Sequence, residues 1–354
     1  MKLFETTKLG QLTLNNRVVM APLTRSRAIN NIPNDLMVQY YTQRATAGLI
    51  ITEGTSPSPN GLGYARIPGL FNEDQKQGWM KVTKSVHEKG GKIFLQMMHT
   101  GRATHPANLP ARAHMLAPSP IAISSKVWTD VSGEQSCPVP KEMTESEIKS
   151  TIQEFAKSAE LAIQAGFDGV ELHAANGYLL EQFLNPNSNQ RKDSYGATHE
   201  GRRRFVLETA QEVTKKIGAD RTGIRISPYG VFNDTGAFEG IDQFYTSFAQ
   251  ELSVLKLVYI HVVDHSSMGA PVVSADLKRK IRENFKGQFI LSGGYDAEKA
   301  EHDLLENKGD LVAFGRPFIA NPDLVKKMKE KLPLQQPNQA LFYTPGPEGY
   351  SDYK

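Results

Sequence analysis

Apolar positions along the chain gather into eight short runs rich in Val, Ile, Leu and Phe, at residues 17–22, 48–54, 92–99, 169–175, 222–228, 257–263, 288–294 and 311–317. Each run is bounded by Gly, Pro or polar residues, the punctuation expected of buried strands. Between the runs lie amphipathic stretches of helical length, among them 35–47, 74–89, 145–165, 202–217, 275–285 and 297–307. Near-continuous apolar strands alternating with helices imply a parallel sheet covered on both faces, and eight such units are the number that closes on itself. The pattern therefore predicts an α/β fold, a single (β/α)8 TIM barrel, with residues 1–354 forming one domain.

Three segments stand outside this repeat. Residues 3–15 alternate about Leu9-Gly10-Gln11, which predicts a hairpin in an N-terminal cap of about 1–16, plugging the amino-terminal mouth. A Pro-rich excursion of about 100–140 separates the third strand from its helix; it is too long for an ordinary βα loop and is expected to cover the active-site face. The tail, about 333–354, is rich in Pro, Gly and Tyr and is expected to be irregular.

Composition narrows the functional classes. With 39% hydrophobic and 22% charged residues the chain can bury an ordinary core. Lys and Arg total 41 against 38 Asp and Glu, a net +3, and no long basic block appears, so no nucleic-acid partner is expected. Arg202-Arg203-Arg204 is the densest cluster and reads as a solvated helix face. Cys137 is the one cysteine, which excludes an internal disulfide, an iron–sulfur cluster and a Cys-rich zinc site. No apolar stretch reaches the ~18–20 residues needed to cross a bilayer, and the first ten residues lack the apolar core of a signal peptide. The expectation is a cytoplasmic protein with no membrane partner. Asn233-Asp234-Thr235 matches a glycosylation sequon but has no secretion signal to support it.

In such barrels chemistry sits at the carboxyl ends of the strands. Gly293-Gly294 follows the seventh run and Gly315-Arg316 the eighth, each ahead of a helical segment, where bare amides and a forked cation suit a phosphate. Each pair alone could make tight turns or a surface ion pair; together they favour phosphate. Gln96 and Arg225 close otherwise apolar runs and need partners, either a planar heterocycle with carbonyl and imide groups or an internal pair with Glu53 or Glu171. His173-Ala174-Ala175-Asn176-Gly177-Tyr178 offers two neutral donors that can polarise a carbonyl and a phenol that can deliver a proton, although each residue singly could be packing. No lysine ends a strand, which argues against Schiff-base chemistry. Gly61-Leu62-Gly63 lacks the third glycine of a dinucleotide fingerprint, and no P-loop is present. No metal is expected: His261 and Asp264, three apart on an extended strand, face opposite ways, which leaves His265 without a ligand set.

Longer motifs carry a family resemblance. They are Asn16-Arg17 with Met20-Ala21-Pro22-Leu23-Thr24-Arg25, Gln96-Met97-Met98-His99-Thr100-Gly101-Arg102 and Gly169-Val170-Glu171-Leu172-His173-Ala174-Ala175-Asn176-Gly177-Tyr178-Leu179. Gln190-Arg191-Lys192-Asp193-Ser194-Tyr195-Gly196, Arg204-Phe205 and Gly315-Arg316-Pro317-Phe318-Ile319-Ala320-Asn321-Pro322 follow in the same order. In these the chain resembles the Old Yellow Enzyme family of FMN-dependent ene-reductases along nearly its whole length.

The resemblance implies tightly but non-covalently bound FMN. Arg316 and the backbone of Ser292, Gly293, Gly294 and Gly315 would hold its phosphate, Gln96 and Arg225 its pyrimidine edge, Thr24 its O4, and Pro22, Leu23 and Gly54 would pack on the ring. It implies NADPH or NADH as reductant and enones or nitroalkenes as substrates, reduced in ping-pong order through flavin N5. His173 and Asn176 would hold the substrate oxygen and Tyr178 would protonate the α-carbon, with Tyr64, Met98 and Tyr350 on the substrate side. A monomer or homodimer is expected. Many bacterial relatives carry a second His where this chain has Asn176 and a Trp where it has Met98; Ala197 and Gly201 also depart from the common pattern. The alternatives are a flavin-free, phosphate-binding barrel lyase or isomerase and a flavin-binding protein without turnover.

Overall fold

A computed structural model describes residues 1–354. Its barrel strands are β1 (Val18–Met20), β2 (Leu49–Ile51), β3 (Ile93–Met97), β4 (Gly169–Ala174), β5 (Thr222–Ile226), β6 (Tyr259–Val263), β7 (Gln288–Ser292) and β8 (Leu311–Phe314). All eight pairings are parallel and β8 returns to β1, closing the barrel. The surrounding helices are α1 (Asp35–Gln43), α2 (Glu73–Glu88), α3 (Glu145–Gln164), α4 (Leu179–Leu184), α5 (His199–Ile217), α6 (Ile241–Val254), α7 (Ala275–Asn284), α8 (Ala297–Leu305), α9 (Arg316–Ala320) and α10 (Leu324–Glu330).

Capping side chains set where several helices begin. Asn34, Asn72, Thr144, Thr198, Ser274 and Asp296 each accept a backbone N–H of the first turn. Thr198 starts α5 at His199, ahead of the expected 202. At the other end of α1, Arg44 leaves the helix four residues before the expected 47, because its guanidinium turns inward to the carbonyls of Tyr40, Phe318 and Ile319. The arginine cluster corrects the solvated-face reading: Arg202 is buried and donates to Leu184 O, and Arg203 is buried against Glu251. Only Arg204 is exposed.

Residues 3–15 do form a hairpin, Thr7–Leu9 against Leu12–Leu14. Its Leu9 and Leu14 join Val19, Leu49, Ile51, Phe94, Tyr259, Ile290 and Leu311 in one buried cluster, so the hairpin stoppers the lower mouth. A larger apolar layer lies between strands and helices. Above the stopper the inward positions turn polar, because the ladder sets His173 beside Arg225, Arg225 beside His261, and Glu171 beside Gln96.

The 100–140 excursion folds over this tier. Ala103, Ile123, Val127 and Cys137 pack together against Tyr64 and Tyr178. Arg102 fastens it to the loop after β5 by donating to the carbonyls of Asn233 and Asp234. The tail is irregular, as expected, but held: Arg27 donates to the carbonyls of Leu341, Phe342, Gly346 and Glu348, and Arg25 to those of Phe342 and Gly349. No helix is long and apolar enough to cross a membrane.

Candidate active site

Period-two alternation and the ladder register bring Gln96, Glu171, His173, Arg225 and His261 to one side of the sheet. Gln96 Nε2 donates to Glu171 Oε1 at 2.8 Å, and His261 Nδ1 lies 2.9 Å from Glu171 Oε2. A carboxylate only accepts, so His261 Nδ1 carries the proton. Burial, the largest influence, holds the His261 imidazole below its ordinary range. Gln96 thus finds the internal partner Glu171 that the sequence left open, and its carboxamide oxygen is turned away from that bond. Glu53 plays no part here; it accepts from Tyr41 Oη and Arg25 N.

Arg225 finds no such partner. Its guanidinium is 6% exposed, makes no ion pair, and its Nε is buried without a hydrogen bond. The Glu171 charge favours the guanidinium from beyond ion-pair distance, but nothing accepts from its buried Nε, and an unsatisfied buried donor is costly enough to suit a position meant for an incoming acceptor. His173 is in the same condition, 3% exposed with Nδ1 unpartnered. Burial and then the neighbouring Arg225 hold its imidazole well below the ordinary range, so it is a neutral hydrogen-bonding group.

The turn after β4 is built to hold its side chains in place. Asn176 sits at φ 59°, a left-handed conformation that Asn tolerates better than most residues. Its N–H donates to Ser227 Oγ and its carbonyl accepts from Asn233 Nδ2. Glu181 accepts from Gly177 N at 2.6 Å and from Ser227 Oγ at 2.8 Å, tying turn and β5 end together. Tyr178 leads into α4, its ring edge-to-face with His173 at 4.9 Å between centroids and with Tyr64 at 6.0 Å. Burial raises the Tyr178 phenol to about 12, which keeps it protonated near neutral pH.

At the far side, Gly293 has φ 124° and a Cβ there would run into the Asp264 carbonyl, while Gly294 has φ 62°. Both positions demand glycine, which leaves backbone exposed between β7 and α8. Ser292 is buried at the end of β7, and Gly315 precedes an exposed Arg316 that forms no salt bridge. Pro22 is buried, Leu23 and Thr24 are half-buried, and the Gly54 Cα faces the Met98 thioether so closely that a Cβ would collide with it. Met98 is buried among Leu62 and Ile67, with Tyr64 and Tyr178 against the same cluster.

Orphaned donors, an acceptor-presenting amide and side-chain-free loops fit a planar heterocycle carrying a phosphate, and FMN is such a group. Arg225, Gln96 and Thr24 are suited to its ring edge, and Arg316 with the three glycines to its phosphate. His261, Asp264 and His265 do not gather as a metal site: Asp264 pairs with Lys278 and His265 with Asn176, and the potential ligands that do lie close together are His302, Asp303 and Glu306 about the end of α8.

Tyr350 departs from expectation. It is fully buried and stacked on Tyr40 at 4.2 Å beneath Arg27, so it belongs to the tail clamp and not to the substrate side. The tail tyrosine that lies near Tyr178 is Tyr343, which is 60% exposed. Sequence offered only the Phe342-Tyr343 pair as a signal for it. His265 and Glu171 are the other members that strand-end reasoning did not give this role.

The profile of the NADH:flavin oxidoreductase / NADH oxidase family matches residues 2–335. A probable flavin mononucleotide-dependent alkene reductase of Leishmania infantum is 39% identical, covering 97% of this chain and 94% of that protein. Morphinone reductase in complex with tetrahydroNAD superposes with a TM-score of 0.95 at 38% identity, over 100% of this chain and 97% of that one. The Old Yellow Enzyme homologue from Zymomonas mobilis gives 0.96 at 36% identity, over 100% and 99%.

Proposed function

Since this chain belongs to the NADH:flavin oxidoreductase / NADH oxidase family, that of Old Yellow Enzyme, it is an FMN-dependent, NAD(P)H-using reductase of activated C=C bonds, and we propose how its residues divide that work. The observation that carries the assignment is the pair of buried, unpartnered polar groups at the mouth, Arg225 Nε and His173 Nδ1. When bound, FMN supplies the two-electron exchange between nicotinamide and alkene.

The protein supplies position, charge and a proton. Gln96 and Arg225 would hold the flavin's pyrimidine edge, where the Arg225 guanidinium would supply positive charge. Thr24 would bind O4, Pro22, Leu23 and Gly54 would line the ring, and Arg316 with Ser292, Gly293, Gly294 and Gly315 would hold the phosphate. On the open side His173 and Asn176 donate to the oxygen of an α,β-unsaturated carbonyl or nitro compound. These bonds strengthen as negative charge builds on that oxygen, the differential binding that lowers a barrier. Tyr178 holds a proton at Oη and delivers it to the α-carbon. Tyr64, Met98 and Tyr343 bound the substrate, and the 100–140 cover keeps water from the site.

Nicotinamide and alkene use the same donors in turn, which predicts ping-pong kinetics. Anaerobic stopped-flow tests this directly: the holoenzyme is to be bleached by NADPH or NADH and, in a separate mix, recoloured by 2-cyclohexenone with yield of cyclohexanone. Bleaching without recolouring by enone would limit the protein to flavin binding or oxidase activity.

A further inference from the structure

His265, in the loop after β6, places Nε2 2.7 Å from Asn176 Oδ1. We infer that His265 is a positioning residue which turns the Asn176 carboxamide so that its NH2, and not its oxygen, faces the substrate. The inference rests on the assignment of Asn176 as an oxygen-binding group.

The backbone of Asn176 is fixed from two sides, by Ser227 Oγ on its N–H and by Asn233 Nδ2 on its carbonyl. What those bonds leave free is rotation about the last side-chain torsion, and the two ends of a carboxamide have nearly the same shape. Packing therefore chooses poorly between them, and a hydrogen bond must. His265 Nε2–H donating to Oδ1 leaves both Nδ2 hydrogens for the site, whereas the reversed amide would aim a carbonyl oxygen at the substrate's own oxygen. His265 is itself held: its ring lies edge-to-face on Phe232 at 4.7 Å. Asp264 beside it is anchored by Lys278 Nζ and by Ser266 N. Burial, followed by the charge of Arg225, pushes His265 down to about 4, so near neutral pH it is uncharged, and the Oδ1 acceptor 2.7 Å away calls for the tautomer with Nε2 protonated.

The two ligand types should respond differently. A ketone oxygen only accepts, so it needs the NH2 end of Asn176. A primary carboxamide such as nicotinamide has both donor and acceptor and can pair with either end. Ligand titrations of the oxidised holoenzyme, followed by flavin absorbance, separate them. For His265→Leu the dissociation constant of cyclohexanone is expected to rise about tenfold, the worth of one neutral hydrogen bond, while that of nicotinamide stays within about twofold. His265→Gln, which retains an N–H donor, is expected to recover most of the ketone affinity. In an Asn176→His background, where no amide remains to be turned, His265→Leu is expected to leave ketone binding unchanged.

Equal weakening of both ligands, or the same loss in the Asn176→His background, would show that His265 merely supports the loop and would overturn the inference. If His265→Leu fails to retain FMN, His265→Asn, too short to reach Oδ1, takes its place in the same comparison. Asn176→Ala distinguishes the two levels: loss of ketone binding there with none in His265→Leu removes only the role of His265, whereas unaltered ketone binding in Asn176→Ala removes the assignment of Asn176 itself.

Discussion

The rings of His173 and Tyr178 stand edge to face, 4.9 Å apart, at the open end of β4. A hydrogen-bonding imidazole and a protonated phenol are thereby directed at one small volume. Tyr178→Phe keeps that packing and removes only the acidic hydrogen. It is expected to slow alkene-dependent reoxidation by about 10²–10⁴, the usual worth of a general acid, with nicotinamide-dependent reduction nearly unchanged. Equal loss in both half-reactions would remove Tyr178 from the proton-donor role. The pH response follows from the same groups. Tyr178 titrates at about 12 and His265 at about 4, and His173 well below its ordinary range. The alkene half-reaction should thus be level between about pH 6 and 9 and fall only at higher pH as the phenol ionises; a clear inflection near 6.5 would contradict a neutral His173.

Glu181 links the turn after β4 to stability. Its carboxyl stands at about 7, raised from 4.5 chiefly by burial. The folded chain therefore holds that proton more tightly than the unfolded chain. Its contribution is full below about pH 4.5 and is lost as pH rises through about 7, an effect of at most ~3 kcal/mol. Urea unfolding at pH 5 and pH 8 should show this decline, and Glu181→Gln should flatten it. A slope as steep in the variant as in the native protein would place the titrating group elsewhere, Glu53 being the other carboxyl raised to about 7.

Arg27 carries the tail. It donates to four tail carbonyls and to Thr344 Oγ1, and burial lowers its guanidinium only to about 10, so it stays charged. Arg27→Met is expected to cost about 2–4 kcal/mol and to open residues after 335 to limited proteolysis, because those carbonyls lose their donor together. Since Tyr343 rides on that segment, KM for bulky enones should change with it. An intact tail under protease would show that Arg25 and the Tyr40–Tyr350 stack suffice.

Arg316 is exposed and free of ion pairs, which suits a phosphate clamp. Arg316→Ala should weaken FMN roughly 10- to 100-fold and leave riboflavin, which has no phosphate, unaffected. Calorimetric titration with both flavins checks this, and parallel losses would assign Arg316 a structural part.

The barrel and the glycine turns of its last two loops were legible because their signals are local. Eight apolar runs report eight strands, and Gly293-Gly294 reports a positive φ within two residues. The 100–140 cover was legible from its length alone. What could not be read were choices made by contacts distant in sequence. Gln96 meets Glu171 across 75 residues, and His265 meets Asn176 across 89. No periodicity encodes such meetings. Tyr350 and Tyr343 lie seven residues apart in an irregular tail where neither strand nor helix period says which ring turns inward; Arg25 and Arg27 decide it. The Arg202-Arg203-Arg204 cluster misled for a related reason, since charge alone does not disclose a carbonyl at Leu184 or a carboxylate at Glu251 waiting to receive it.

Titrating the apoprotein of wild type and of Arg225→Met with FMN, alongside their thermal unfolding, tests the central assignment most directly. If the buried guanidinium is kept for the flavin, the variant should bind FMN roughly 30- to 100-fold more weakly, while its apoprotein is about 1–3 kcal/mol more stable for losing a buried charge that no ion pair satisfies. A variant that binds FMN as tightly as wild type, with an apoprotein that has become less stable, would contradict it.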